Sequence, residues 1–179
     1  GIQAIDQKSY LLFGGTPNRL YMVSNNKVVW TEDVSGGRNI EHLVCYNPKT
    51  KLIYRKDEKA ILSKTADIKA PYKMLLKTSN PLISFTNDFE GNIYYWSDNT
   101  LFYFSNGITK PIYYPVKKDL IWHYHKADNN QIIAWGQDTV FTFYKGKCLS
   151  KIKNETPANT VVRKTSQLND GTIWFTNNG

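Results

Sequence analysis

One spacing limits what this chain can fold into more than any other feature. An apolar residue follows a turn-like segment again and again at nearly constant distance. Leu11, Leu52, Ile93, Ile132 and Ile173 stand 41, 41, 39 and 41 residues apart. The segments before them are Asp6-Gln7-Lys8-Ser9, Asn47-Pro48-Lys49-Thr50, Asp88-Phe89-Glu90-Gly91, Asp128-Asn129-Asn130 and Asn169-Asp170-Gly171. A second apolar column, Leu20, Ile61, Leu101 and Val140, keeps step with the first. Two columns in phase through four units indicate a repeat architecture, in which each unit buries its apolar face on its neighbours.

Each unit divides into four short strands. In the third, Leu82–Thr86, Asn92–Trp96, Leu101–Phe104 and Ile108–Tyr113 are rich in aromatic and β-branched residues, as strands are. Asn106-Gly107 is a hairpin turn pair, and Pro111 marks the last strand as an edge, because proline cannot donate to a ladder. The fourth unit repeats the plan with Leu120–His125, Ile132–Trp135, Thr139–Tyr144 and Lys147–Ile152. Four strands in about 40 residues is the period of a propeller blade. The expected fold is therefore all-β, a partial β-propeller of four-stranded antiparallel blades; another all-β meander, a barrel or sandwich, competes with it. The blades fall at about 2–37, 38–78, 79–118 and 119–158, with a half blade at 159–179, all in a single domain. A half blade leaves an open strand edge, which invites pairing with another chain and suggests a fragment of a larger ring. Helical spacing shows only at Ala70–Thr78, where Tyr72, Leu75 and Leu76 could share a face.

Composition narrows the function. Aromatic residues make up 14% of the chain, too many for a disordered segment. No apolar run of about 18 residues is present, so no membrane helix is expected. Two cysteines do not make a disulfide framework. The net charge of +8 favours an anionic partner, but no Lys/Arg run is dense enough for a nucleic-acid arm. There is no Gly-x-Ser-x-Gly elbow, phosphate-binding glycine loop or Cys–His pair, and the acidic residues fall mostly in turns, so neither catalysis nor a cofactor is expected. His123 and His125 share one face of a strand at a spacing usable for zinc, but no third ligand accompanies them, so no metal site is expected either.

The closing stretch, Asp170-Gly171-Thr172-Ile173-Trp174-Phe175-Thr176-Asn177-Asn178-Gly179, resembles the repeat of the two-component regulator propellers. Asp88–Trp96 keeps part of the pattern, with Gly91 and an aromatic strand; Asp128–Trp135 has Asn130 where the glycine stands. The resemblance implies a periplasmic sensor segment of a Bacteroides-type hybrid two-component receptor, without catalysis, responding to glycan-type ligands. Its implied partners are an oligosaccharide or acidic glycan, the remainder of the propeller and receptor, and a second copy through the open blade edge. A protein-interaction scaffold, or a fragment of a propeller lyase or glycosidase, are the alternatives.

Candidate ligand contacts follow from the loops and from one repeat column. Long, mutually different connections between blades carry Arg38, then Tyr72 and Lys73, then Tyr114 and Lys117. Cations beside aromatic rings suit an anionic or sugar ligand. The column at the end of each second strand holds Gly14, Arg55, Trp96, Trp135 and Thr176, too mixed for a uniform core position. Arg55, Trp96 and Trp135 are therefore expected at a ligand-contacting rim, with packing between blades as the other reading of the two tryptophans.

Overall fold

The computed structural model describes residues 2–14, 19–33, 44–67, 70–113, 123–135, 139–153, 162–168 and 172–177. These residues form β-strands joined by turns. The first sheet is β1 (Ile2–Ala4), β2 (Ser9–Gly14), β3 (Arg19–Ser24) and β4 (Lys27–Asp33). The second is β5 (Val44–Asn47), β6 (Leu52–Lys56), β7 (Ala60–Thr65) and β8 (Lys73–Lys77). The third is β9 (Leu82–Asn87), β10 (Ile93–Ser97), β11 (Thr100–Ser105) and β12 (Ile108–Tyr113). The fourth is β13 (His123–Lys126), β14 (Ile132–Trp135), β15 (Thr139–Tyr144) and β16 (Lys147–Lys153). In each, strands pair antiparallel in chain order, so every sheet is a simple meander. β17 (Val162–Gln167) and β18 (Ile173–Asn177) form a two-stranded antiparallel pair. Four-stranded antiparallel meanders repeating at this period are propeller blades, as the sequence repeat implies.

The helical spacing at Ala70–Thr78 is not used. Lys73–Lys77 is the strand β8, with Leu76 buried against Ile61 of β7 and Met74 65% exposed. An outer strand buries little on either face, so its apolar residues need not alternate.

The turn segments before β2, β10, β14 and β18 share a hydrogen-bond frame, and the turn before β6 is closed instead by Lys51 N–H on Asn47 O at 2.9 Å. Ile5 N–H bonds Ser9 O at 2.9 Å, Asp88 N–H bonds Asn92 O at 3.0 Å, Ala127 N–H bonds Gln131 O at 2.9 Å and Leu168 N–H bonds Thr172 O at 2.8 Å. Within these turns an Asx side chain accepts backbone N–H groups that the ladder leaves over. Asp6 Oδ1 accepts from Lys8 N at 2.8 Å. Asn47 Oδ1 accepts from Lys49 N and Thr50 N at 2.9 and 3.0 Å. Asp88 Oδ1 accepts from Asn92 N, and its Oδ2 from Asn92 Nδ2, both at 2.9 Å. Asn47 and Asp88 are fully buried. Asp6, Asn47 and Asp88 are thus turn-forming residues here.

The chain divides into two compact units. The first holds residues 1–82 and 89–91, the second 83–88 and 92–179. In the first unit Leu11, Phe13, Leu20 and Met22 of the first sheet pack against Val44, Tyr46 and Ile53 of the second. In the second unit Tyr94, Trp96, Leu101 and Tyr103 of the third sheet pack against Ile132, Ala134, Phe141 and Phe143 of the fourth. Each interface is built from alternate residues of the inner strands, the period that puts one set of side chains on one face.

Candidate functional site

The apolar face shared by the first and second sheets changes character toward the outer strands. On β3, Leu20 and Met22 are core residues; across the ladder they pair with Glu32 and Trp30 of β4. On β6, Ile53 is core, and Arg55 lies two residues on, on the same face. Lys64 of β7 stands opposite Ile53 in the ladder. Strand alternation therefore brings Trp30, Glu32, Arg55 and Lys64 to the outer end of one interface. Tyr72, just before β8, completes the group.

The geometry is that of a carboxylate bridging two cations between aromatic rings. Arg55 Nη1 donates to Glu32 Oε1 in a short contact. Lys64 Nζ donates to Glu32 Oε2 at 3.1 Å. The Lys64 ammonium lies 3.8 Å from the Trp30 ring centroid and 4.6 Å from that of Tyr72. The Arg55 guanidinium lies 4.5 Å from the Tyr72 centroid. Side-chain exposure is 26% for Arg55, 17% for Glu32 and 5% for Lys64, so the group is most open at Arg55. Burial, reinforced by the neighbouring Glu32 carboxylate, raises the Tyr72 phenol well above its ordinary pKa. The phenol therefore stays neutral beside Glu32 at any physiological pH.

The sequence candidates divide. Arg55 is at the centre of this cluster. Lys73 is exposed at the start of β8, directly after Tyr72. Trp96 and Trp135 are not at a rim: they are 0% and 3% exposed. Trp96 lies in the core between the third and fourth sheets. Trp135 packs with Ala127 and Ile133, and stacks on His123 with centroids 5.4 Å apart and planes at 17°. Their rings are large apolar surfaces at strand ends, and the sheets bury them. Packing therefore accounts for the two tryptophans, whereas Arg55 is a partly exposed side chain paired with Glu32. Arg38, Tyr114 and Lys117 lie outside the described residues. Among the described residues no group of three His, Cys, Asp or Glu is placed to hold a metal ion.

Trp30, Glu32 and Lys64 were not signalled by motif or loop position. One sequence feature does point to Lys64. Its repeat column holds Val23, Phe104 and Phe143 in the other units, so a lysine stands where the plan calls for an apolar side chain. A charge in a core column needs a partner or an exit to solvent.

No family model matches the sequence, and no curated protein matches it. Solved structures do. A catalytically inactive virginiamycin B lyase from Staphylococcus aureus, crystallised with quinupristin, superposes with a TM-score of 0.71 at 14% identity, over 98% of this chain and 61% of its own. The WD40 β-propeller domain of Doa1 gives 0.64 at 16% identity, over 99% of this chain and 61% of that domain. The fold is a β-propeller. The extracellular domain of a hybrid two-component system from Bacteroides thetaiotaomicron gives 0.62 at 11% identity, over 98% of this chain and 24% of its own. This propeller segment thus spans about three fifths of the lyases and about a quarter of the two-component domain. At these identities the likeness is one of fold.

Proposed function

We propose that this chain is a non-catalytic, extracytoplasmic ligand-binding segment of a propeller in a two-component signalling receptor, responding to glycan-type ligands. The observation that carries the reading is the Trp30–Glu32–Arg55–Lys64–Tyr72 cluster. It places two cations and two aromatic rings at the outer end of a blade interface, all but Tyr72 on strands. Guanidinium groups and aromatic rings are the chemistry with which proteins hold sugars and their acidic substituents. Support also comes from the fold shared with the B. thetaiotaomicron extracellular domains and from the Asp170–Trp174 repeat motif. In this reading the periplasm supplies the ligand, and the rest of the receptor carries the output.

The test is a thermal-shift screen of the chain against neutral and acidic oligosaccharides. Stabilisation that saturates with one glycan class, and that follows RT ln(1 + [L]/Kd) as concentration rises, is the expected result. A flat melting temperature across the whole panel would remove the reading.

A further inference from the structure

The charge balance of the cluster says more about the ligand. Glu32 carries one negative charge against the two positive charges of Arg55 and Lys64. Asp33, the next acid along β4, is taken by Arg19 at 2.8 Å. Among the described residues no second carboxylate is paired with either Arg55 or Lys64. One positive charge is therefore left over in a group whose lysine is 5% exposed. A half-buried cation without a counter-charge is costly, and ring faces compensate it only in part. Lys64 is closed in by the Trp30 and Tyr72 rings and by Glu32. Arg55 spends one of its five N–H donors on Glu32 and keeps an exposed side. The excess charge is thus presented outward, through the partly exposed Arg55 side chain, whose guanidinium lies over the Tyr72 ring.

We infer that Arg55, backed by Lys64, is the binding group for an oxyanion on the ligand, so that the ligand is an acidic saccharide held by its carboxylate or sulfate. This rests on the ligand-binding reading above and narrows it. Arg55 offers a planar pair of donors to a two-oxygen acceptor, while Lys64 supplies the long-range positive field and holds Glu32 away from neutralising Arg55 fully. Trp30 and Tyr72 keep both cations in place and limit water.

Isothermal titration of the 179-residue chain with glucuronate, glucose 6-sulfate, glucose and inorganic sulfate tests it. At least one of the two acidic sugars should bind ten-fold or more tightly than glucose. The stronger of the two tells carboxylate from sulfate recognition. Arg55→Gln should lower that affinity at least ten-fold, and Arg55→Lys, which keeps the charge and loses the planar donor pair, should fall between. If Arg55→Gln does not give a cooperative melt, Arg55→Lys alone decides. Equal binding of glucose and the acidic sugars, or affinities unmoved by both variants, would overturn the inference and leave a glycan site elsewhere standing. Inorganic sulfate binding as tightly as the acidic sugars would overturn it too, since the saccharide would then add nothing. No binding by any of the four, with a neutral oligosaccharide from the screen still stabilising the chain, would sink the acidic ligand alone.

Discussion

Gly146 and Gly107 occupy the same place in successive hairpins, and only one of them has no room for a side chain. Both sit in the left-handed region, at φ +72° and +78°. A Cβ on Gly107 would meet nothing within 4 Å, whereas one on Gly146 would lie 2.6 Å from Tyr103 Cδ1. Tyr103 is buried at 6% exposure and packs edge-on against Tyr94, so its ring has nowhere to retreat. Gly146 N–H also donates to Tyr94 Oη at 3.0 Å, a buried bond between neighbouring blades. Gly107→Ala should therefore cost only the backbone term, about 1 kcal/mol. Gly146→Ala should cost that plus overpacking, about 2–4 kcal/mol in all. Urea unfolding of both variants checks it, and equal losses would show that Tyr103 yields. The same scale applies to Asp88, a fully buried side chain whose two carboxylate oxygens hold Asn92. Asp88→Ala strands those donors and should cost about 1–3 kcal/mol, while an exposed counterpart such as Asp6→Ala should cost less. An Asp6→Ala loss matching Asp88→Ala in the same urea series would show that burial adds nothing to this turn.

At the scale of elements, the hairpins between third and fourth strands set the register. Asn25-Asn26, Asn106-Gly107 and Lys145-Gly146 all have two successive residues at positive φ, the tight turn whose twist matches that of the flanking strands. Lys145 is the misfit, an L-residue with a long side chain at φ +48°. Lys145→Asn puts there the residue that tolerates the conformation best after glycine, and should raise stability by about 0.5–1 kcal/mol. A melting temperature equal to or below that of the parent would count against strain at this turn. These same turn residues made the third and fourth sheets legible from sequence: Asn106-Gly107, Lys145-Gly146 and Pro111 punctuate strands whose aromatic inner residues recur at the repeat period. β8 was not legible, because an outer strand with one buried residue carries no alternation to read. The candidate site was half legible for a related reason. Arg55 showed as an odd member of its column, but Trp30 and Glu32 come from another blade, and only the packing of two sheets reveals that they meet Lys64. Trp96 and Trp135 misled because an aromatic ring at a strand end suits a rim and a core equally, and burial alone decides between them.

At the scale of the whole molecule, the aromatic content that fills the blade interfaces also fixes how stability responds to alkali. Burial raises the phenol pKa of Tyr46 and Tyr72 in the first unit and of Tyr95 and Tyr124 in the second, above the ordinary value of 10.0. Above about pH 10 the unfolded chain loses these protons while the folded chain keeps them. The folded state then binds more protons, so stability falls as pH rises. Lys56 acts in the opposite sense. Burial, as its ammonium donates to Leu82 O at 2.5 Å, holds its pKa below 10.5. Between that lowered value and 10.5 the unfolded chain binds the extra proton, and stability rises with pH. Four raised phenols outweigh one lowered ammonium, so the urea midpoint should decline steeply once pH passes about 10. Tyr124 is the most informative single member. Ser84 Oγ donates to its oxygen at 3.2 Å, which favours the phenolate, yet burial prevails and the pKa stays raised. Tyr124→Phe should lower the neutral-pH midpoint modestly, through the lost Ser84 bond, and make the alkaline decline shallower. Midpoints of parent and variant that fall in parallel from pH 9 to 11.5 would show that Tyr124 ionises freely in the fold, and that the interior of the second unit is wetter than its packing implies.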